Sequence, residues 1–126
     1  MITLHLPLTP ETNGLIGAGE LARMKPDAVL VNTSRGNMIV EADLACALRR
    51  RAIGGAAIDV FGCEPYQGEL RELDNCVLTT HMGSMARDCR GRMELEATEE
   101  VIRFFHAEPL RSVVPESEYA VTEACS

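Results

Sequence analysis

Val29-Leu30-Val31-Asn32-Thr33-Ser34-Arg35-Gly36 is the stretch on which the fold of this chain turns. Four residues of strand character, Val29 to Asn32, run into a small polar turn, Thr33-Ser34, and then into Arg35-Gly36. A short apolar run ending in small polar residues reads as a buried strand of a parallel sheet, where ligands collect beyond the carboxyl ends of the strands. Two later stretches repeat the pattern. Ala56-Ala57-Ile58-Asp59-Val60 leads to Phe61-Gly62-Cys63-Glu64-Pro65, and Cys76-Val77-Leu78-Thr79 leads to Thr80-His81-Met82-Gly83-Ser84. Such a sheet carries an arginine, two carboxylates and a histidine to one crevice.

Working outward, residues 2–6 (Ile-Thr-Leu-His-Leu) are β-branched and apolar and read as a strand that Pro7 stops. Turn chemistry follows in Thr9-Pro10-Glu11-Thr12-Asn13-Gly14. A short helix is expected over 18–24, ended by Lys25-Pro26. After Gly36, residues 41–51 read as a helix with Leu44, Ala47 and Leu48 inward. Arg49-Arg50-Arg51 at its end suits the helix dipole and reads as a solvated terminus rather than an anion site. A helical turn is expected over 70–74, then a strand over 76–79. The longest helix spans 85–107, where Met93, Ala97, Val101 and Phe104 or Phe105 recur at core spacing, and Pro109 ends it. Residues 112–126 carry proline and acids with little periodicity and read as a C-terminal tail. The alternation β-α-β-α-β-turn-β-α predicts an α/β fold with a parallel sheet of about four strands and flanking helices.

At 126 residues the chain is one domain at most, and 46% apolar residues is a folding composition. A net charge of −7 argues against nucleic acid or an anionic membrane as partner, since both call for a basic face. No apolar run approaches the ~20 residues that span a bilayer. The N-terminus lacks the basic and continuous apolar segments of a signal peptide. Cys46, Cys63, Cys76, Cys89 and Cys125 are odd in number and form no C-x-x-C pair, so no disulfide framework or metal site is expected. Reduced thiols in a cytoplasmic protein are the simple expectation.

The ionisable residues at the strand ends suit acid/base chemistry. A histidine titrates near neutral pH and moves protons. A neighbouring carboxylate fixes its ring, and an arginine grips a substrate carboxylate with two parallel hydrogen bonds. Taken singly, each has a plain alternative: Arg35 as a loop arginine, Glu64 as a turn residue before Pro65, His81 as a cap of the next helix. Cys63 reads as a nucleophile or, more simply, as a small loop residue. His5, inside an apolar strand, is expected as a hydrogen-bonded core histidine, and His106 is expected to face water.

Four blocks then become recognisable in order. They are His5-Leu6-Pro7-Leu8-Thr9-Pro10-Glu11-Thr12, Met24-Lys25-Pro26-x-Ala28-x-Leu30-Val31-Asn32-x-Ser34-Arg35-Gly36, Gly55-Ala56-Ala57-Ile58-Asp59-Val60-Phe61-x-x-Glu64-Pro65 and His81-Met82-Gly83-Ser84. Together, over roughly residues 2–106, the chain resembles the D-isomer-specific 2-hydroxyacid dehydrogenases, the group of phosphoglycerate, glycerate/glyoxylate and D-lactate dehydrogenases. The resemblance implies a Rossmann-like domain binding NAD or NADP and a small 2-oxo or 2-hydroxy acid. It implies that Arg35 binds the substrate carboxylate and C2 oxygen, that His81 is the general acid/base, and that Glu64 is its carboxylate partner. Asp59 matches the aspartate that contacts the nicotinamide carboxamide. Leu6, Thr33, Ser34, Arg35, His81, Met82, Gly83 and Ser84 match positions that line the cofactor.

Departures narrow the expectation. No G-x-G-x-x-G occurs, and Gly14-x-x-Gly17-x-Gly19 does not join strand to helix in the required way. Gly62 stands where an acidic residue often follows Asp-Val-Phe. Residues 1–111 therefore resemble the second half of the NAD(P)-binding domain, without the glycine-loop half. On that expectation the first strand is an exposed edge, open to self-association or to pairing with another chain. The isolated chain then binds NAD(H) weakly, because the helix N-terminus that receives the pyrophosphate is missing. The reading from another class is a non-catalytic truncated module, or a corepressor-like partner-binding unit of the same family.

Overall fold

The computed structural model describes residues 1–115. The tail expected over 112–126 lies outside the described residues beyond 115. Four strands, β1 (Ile2–Leu4), β2 (Val29–Asn32), β3 (Gly55–Ile58) and β4 (Cys76–Leu78), form one sheet in the order β1-β2-β3-β4. Every neighbouring pair is parallel. Helices α1 (Ala18–Ala22) and α2 (Glu41–Arg49) connect the first three strands, and α3 (Arg87–Phe105) follows the fourth. Single 3-10 turns occupy Gly36–Met38 and Glu69–Glu72. The α/β parallel-sheet fold expected from the sequence is the fold observed.

Register explains which side is core. Ile2, Leu30, Ala56 and Cys76 share one cross-strand row, and Leu4, Asn32, Ile58 and Leu78 another on the same face. Against this face pack Leu21 of α1 and Leu44, Ala45 and Leu48 of α2, all buried. Removing a leucine of that size from water stabilises the fold by about 1.5–3 kcal/mol. Ala45 joins Leu44 and Leu48 as buried, and Ala47, half-buried, packs against the same core as expected. The row between, Thr3, Val31, Ala57 and Val77, points to the opposite face, where Val77 is 65% exposed.

Three expectations are corrected. The first strand ends at Leu4 rather than at residue 6, so His5 is exposed, with its ring 2.9 Å from the Thr3 hydroxyl. The strand's partner β2 ends at Asn32, opposite Leu4, so the ladder stops there. The core face expected on the last helix is not buried: Met93, Ala97, Val101, Phe104 and Phe105 are exposed, and no residue of α3 is buried. Helical spacing specifies an amphipathic surface but not the partner, and no other described element packs extensively on α3. Finally, the alternative reading of His81 as a helix cap does not hold, since Ala86 occupies the N-cap position of α3. Arg49 and Arg51 form exposed ion pairs with Glu69 and Asp74, as a solvated helix end should. Among the described residues no helix is long and apolar enough to cross a membrane.

Candidate functional site

The site is built at the carboxyl ends of β2, β3 and β4. At the end of β2, Asn32 is fully buried. Its Nδ2 donates to the Arg35 carbonyl (2.8 Å), and its Oδ1 accepts from the Ser34 N–H (3.1 Å) and hydroxyl (3.0 Å). Arg35 itself is extended, exposed, and donates from Nη1 to the Ser34 carbonyl at 2.8 Å.

Gly36 comes next and has no room for a side chain. A Cβ there would lie 1.9 Å from the Phe61 carbonyl carbon. The arginine turn is thus pressed directly onto the loop that leaves β3. Glu41, in the first turn of α2, ties the same loop by accepting the Gly62 N–H at 2.9 Å.

Asp59 lies just past β3, with 6% of its surface exposed. Its carboxylate accepts the Thr79 hydroxyl, the Met82 N–H (2.8 Å) and the Gly83 N–H (3.0 Å), and its carbonyl accepts the His81 N–H (2.8 Å). Burial pushes the Asp59 carboxyl up. The Thr79, Met82 and Gly83 hydrogen bonds and the nearby His81 charge outweigh it and hold the group below its ordinary value. Wrapped this way, the segment after β4 turns sharply, and His81 adopts a left-handed φ of 55°. Such a backbone in a non-glycine residue persists only where its surroundings dictate it.

His81 Nδ1 lies 3.2 Å from Glu64 Oε2, while Glu64 Oε1 accepts the Phe61 N–H at 3.1 Å. An ionised carboxylate only accepts, so Nδ1 carries the proton and Nε2 is left to exchange one with a ligand. Both side chains remain in contact with water, at 54% and 39% exposure. Beside the pair, a cleft of ≈ 570 Å³ is lined by Phe61, Glu64, Pro65, Tyr66, Arg71, Leu78, Thr79 and Thr80.

The structure therefore joins Glu64, His81, Asp59, Met82 and Gly83 in one network, and seats Arg35 on a turn packed against the same loop. It leaves Arg35 out of direct contact with Glu64 and His81. Leu6 and Thr33 are exposed beyond β1 and β2, Ser34 is engaged with Asn32, and Ser84 is half-buried. Leu6, Met82 and Thr33 are all exposed, and apolar side chains with a hydroxyl among them are the kinds of group that line a flat, amphipathic ring such as nicotinamide. The Asp59 carboxylate has about one of its four lone-pair positions left for such a group. Residues not foreseen are Asn32, Gly36, Glu41 and Thr79. The one available signal was a polar Asn32 closing an apolar strand, which must be hydrogen-bonded if buried.

Comparison with known proteins gives the geometry a context. Residues 1–83 match the family model described as D-isomer specific 2-hydroxyacid dehydrogenase, NAD binding domain. The chain is 43% identical over 114 residues to D-3-phosphoglycerate dehydrogenase of Synechocystis sp., covering 90% of this chain and 21% of that protein. It is 44% identical over 108 residues to glyoxylate reductase of Thermococcus litoralis, covering 85% and 33%. An NADPH-dependent glyoxylate/hydroxypyruvate reductase from Sinorhizobium meliloti, solved in complex with NADP and malonate, superposes with a TM-score of 0.85 at 30% identity, over 92% of this chain and 37% of that one. The chain thus spans between 21% and 33% of the length of these curated relatives. With two thirds of its residues inside the family model and the same parallel sheet as the solved reductase, the chain belongs to the NAD-binding domain family of the D-isomer specific 2-hydroxyacid dehydrogenases.

Proposed function

We propose that residues 1–111 serve as the second half of the NAD(P)-binding domain of a D-2-hydroxyacid dehydrogenase, supplying the residues for reversible reduction of a 2-oxo acid to a D-2-hydroxy acid. The observation that carries this reading is the Glu64–His81 pair, 3.2 Å apart at the ends of adjacent parallel strands. Arg35 swings off the Ser34 carbonyl and grips the substrate carboxylate, polarising the adjacent C2 carbonyl. His81 Nε2 gives a proton to the C2 oxygen in reduction and takes it back in oxidation. Glu64, steadied by the Phe61 N–H, holds the ring and balances the imidazolium. Leu6, Thr33, Ser34, Met82, Gly83 and Ser84, with Asp59, line the nicotinamide end; when bound, the NAD or NADP ring supplies or removes the hydride at C2.

The sequence holds no G-x-G-x-x-G, so the phosphate-binding turn comes from another segment, and the chain alone binds the dinucleotide weakly. The open edge of β1 pairs with that segment or with a second copy. The acidic balance and the unpaired thiols of Cys46, Cys63, Cys76 and Cys89 among the described residues suit a cytoplasmic setting. Missing phosphate chemistry also favours a second reading, in which the chain is a non-catalytic, partner-binding module.

The test follows loss of reduced-nicotinamide absorbance with a panel of 2-oxo acids, at cofactor concentrations up to the millimolar range. Oxidation that depends on the 2-oxo acid and falls by about 10²–10⁴-fold in His81→Ala, and in Arg35→Ala, is expected. Oxidation unchanged in either variant refutes the assignment. A folded chain that shows none selects the second reading.

A further inference from the structure

We propose that Asn32 is a positioning residue of this site: its buried carboxamide sets the backbone from which Arg35 reaches the substrate carboxylate. The proposal rests on the role given above to Arg35 and adds a residue that touches no ligand.

Asn32 occupies a cross-strand row otherwise made of Leu4, Ile58 and Leu78. A carboxamide in such surroundings costs stability unless both of its ends are hydrogen-bonded. Here both are, and all the bonds go to the turn that carries the arginine. Nδ2 holds the Arg35 carbonyl at 2.8 Å, and Oδ1 holds the Ser34 N–H and hydroxyl at 3.1 and 3.0 Å. The Ser34 hydroxyl also lies 3.2 Å from the sulfur of Met38, which is fully buried. The Asn32 side chain thus binds both Ser34 and Arg35 of the turn from within the sheet.

That side chain is itself fixed to the rest of the site. The Asn32 carbonyl accepts the Asp59 N–H at 2.9 Å, and the Asp59 carbonyl accepts the His81 N–H at 2.8 Å. A continuous run of hydrogen bonds thus leads from the Arg35 carbonyl, through Asn32 and Asp59, to the backbone of His81. The arginine and histidine never touch, yet their backbones share one frame. Only asparagine fits this role at this length: aspartate keeps the acceptor for Ser34 but sets a second acceptor against the Arg35 carbonyl, and leucine fills the row and loses every bond. With the frame preset, substrate binding has only the exposed guanidinium left to order.

The test titrates the full chain with oxamate, a carboxylate bearing an adjacent carbonyl, by calorimetry, and records the Arg35 Nε–H resonance by NMR. Arg35→Ala is expected to weaken oxamate at least about tenfold, the loss of one charged hydrogen bond. Asn32→Asp is expected to weaken it about tenfold as well, and to shift the Arg35 Nε–H signal. Ser34→Ala, which removes one bond and leaves the core intact, is expected to weaken it by less. A merely structural role lowers the melting temperature of folded variants without moving affinity or the arginine signal. If Asn32→Asp is unfolded, Ser34→Ala decides in the same way. Wild-type affinity in the folded Asn32 or Ser34 variant, with affinity lost in Arg35→Ala, overturns the role of Asn32 and leaves that of Arg35 standing. Absent oxamate binding in the wild type, or wild-type binding in Arg35→Ala, overturns both.

Discussion

Gly36→Ala should do more damage than any other addition of one methyl group at a glycine in this chain. The added Cβ would lie 1.9 Å from the Phe61 carbonyl carbon, 2.1 Å from its oxygen and 2.4 Å from the Gly62 nitrogen. These are backbone atoms, which cannot rotate aside as the tip of a side chain can. Carbon atoms rest at about 3.5 Å, so the arginine turn and the β3 loop must part by roughly 1.6 Å. The Gly62 N–H would then lose Glu41 Oε1, now 2.9 Å away. Overpacking of this kind costs about 1–3 kcal/mol, and a hydrogen bond to a carboxylate about 1.5–3 kcal/mol. A total of about 2.5–6 kcal/mol is a large share of the 5–15 kcal/mol typical of a domain. Equilibrium unfolding in urea, followed by far-UV circular dichroism, reads it as a lowered midpoint at unchanged slope. Gly19→Ala in α1 is the control, because its Cβ meets nothing within 4 Å; it should be neutral or stabilise by up to about 1 kcal/mol. A Gly36→Ala protein within about 0.5 kcal/mol of wild type, the ordinary scatter of a surface change, would refute the close-approach reasoning. So would an equal loss in both variants.

Thr79→Val removes the hydroxyl that Asp59 accepts and should cost about 1–2 kcal/mol by urea unfolding at neutral pH. The Asp59 carboxyl is held below its ordinary value of 3.8 in the folded chain, so its contribution is present above that pH and lost as pH falls through the folded value. The stability difference between wild type and Asp59→Asn should therefore shrink on acidification below 3.8; a constant difference would contradict it. Burial pushes the Cys76 thiol up from 9.0 to about 11. Its contribution is present below 9.0 and lost as pH rises through about 11, and its thiolate is about 100-fold scarcer than that of an ordinary thiol at mildly alkaline pH. Iodoacetamide should label exposed Cys46 and Cys63 before half-buried Cys76, and equal rates by mass spectrometry would contradict the raised Cys76 thiol.

The parallel sheet was legible because each strand is a short apolar run bounded by turn residues, and each connection is long enough to cross over. Val29-Leu30-Val31-Asn32 and Cys76-Val77-Leu78 needed no more than that. Glu64 and His81 were legible as partners through the family's four blocks, and they do meet. The wrapping of Asp59 was not legible: Met82 and Gly83 bind it through backbone N–H groups, which every non-proline residue owns and no side-chain pattern records. Nor was the exposed surface of α3, since periodicity reports that a face is apolar and not what covers it.

Local patterning thus decided the elements, their order and the placement of Arg35, Asp59, Glu64 and His81 after strand ends, because period and turn chemistry depend on neighbours within a few residues. Tertiary contact alone decided the rest. That Gly36 lies against Phe61, that the Asn32 backbone bonds to Asp59, and that Asp59 wraps the Met82-Gly83 turn in which His81 sits at a positive φ all depend on residues far apart in the chain. Long-range packing sets those distances. Until the sheet is formed, no property of the separate segments fixes which backbone groups will face one another.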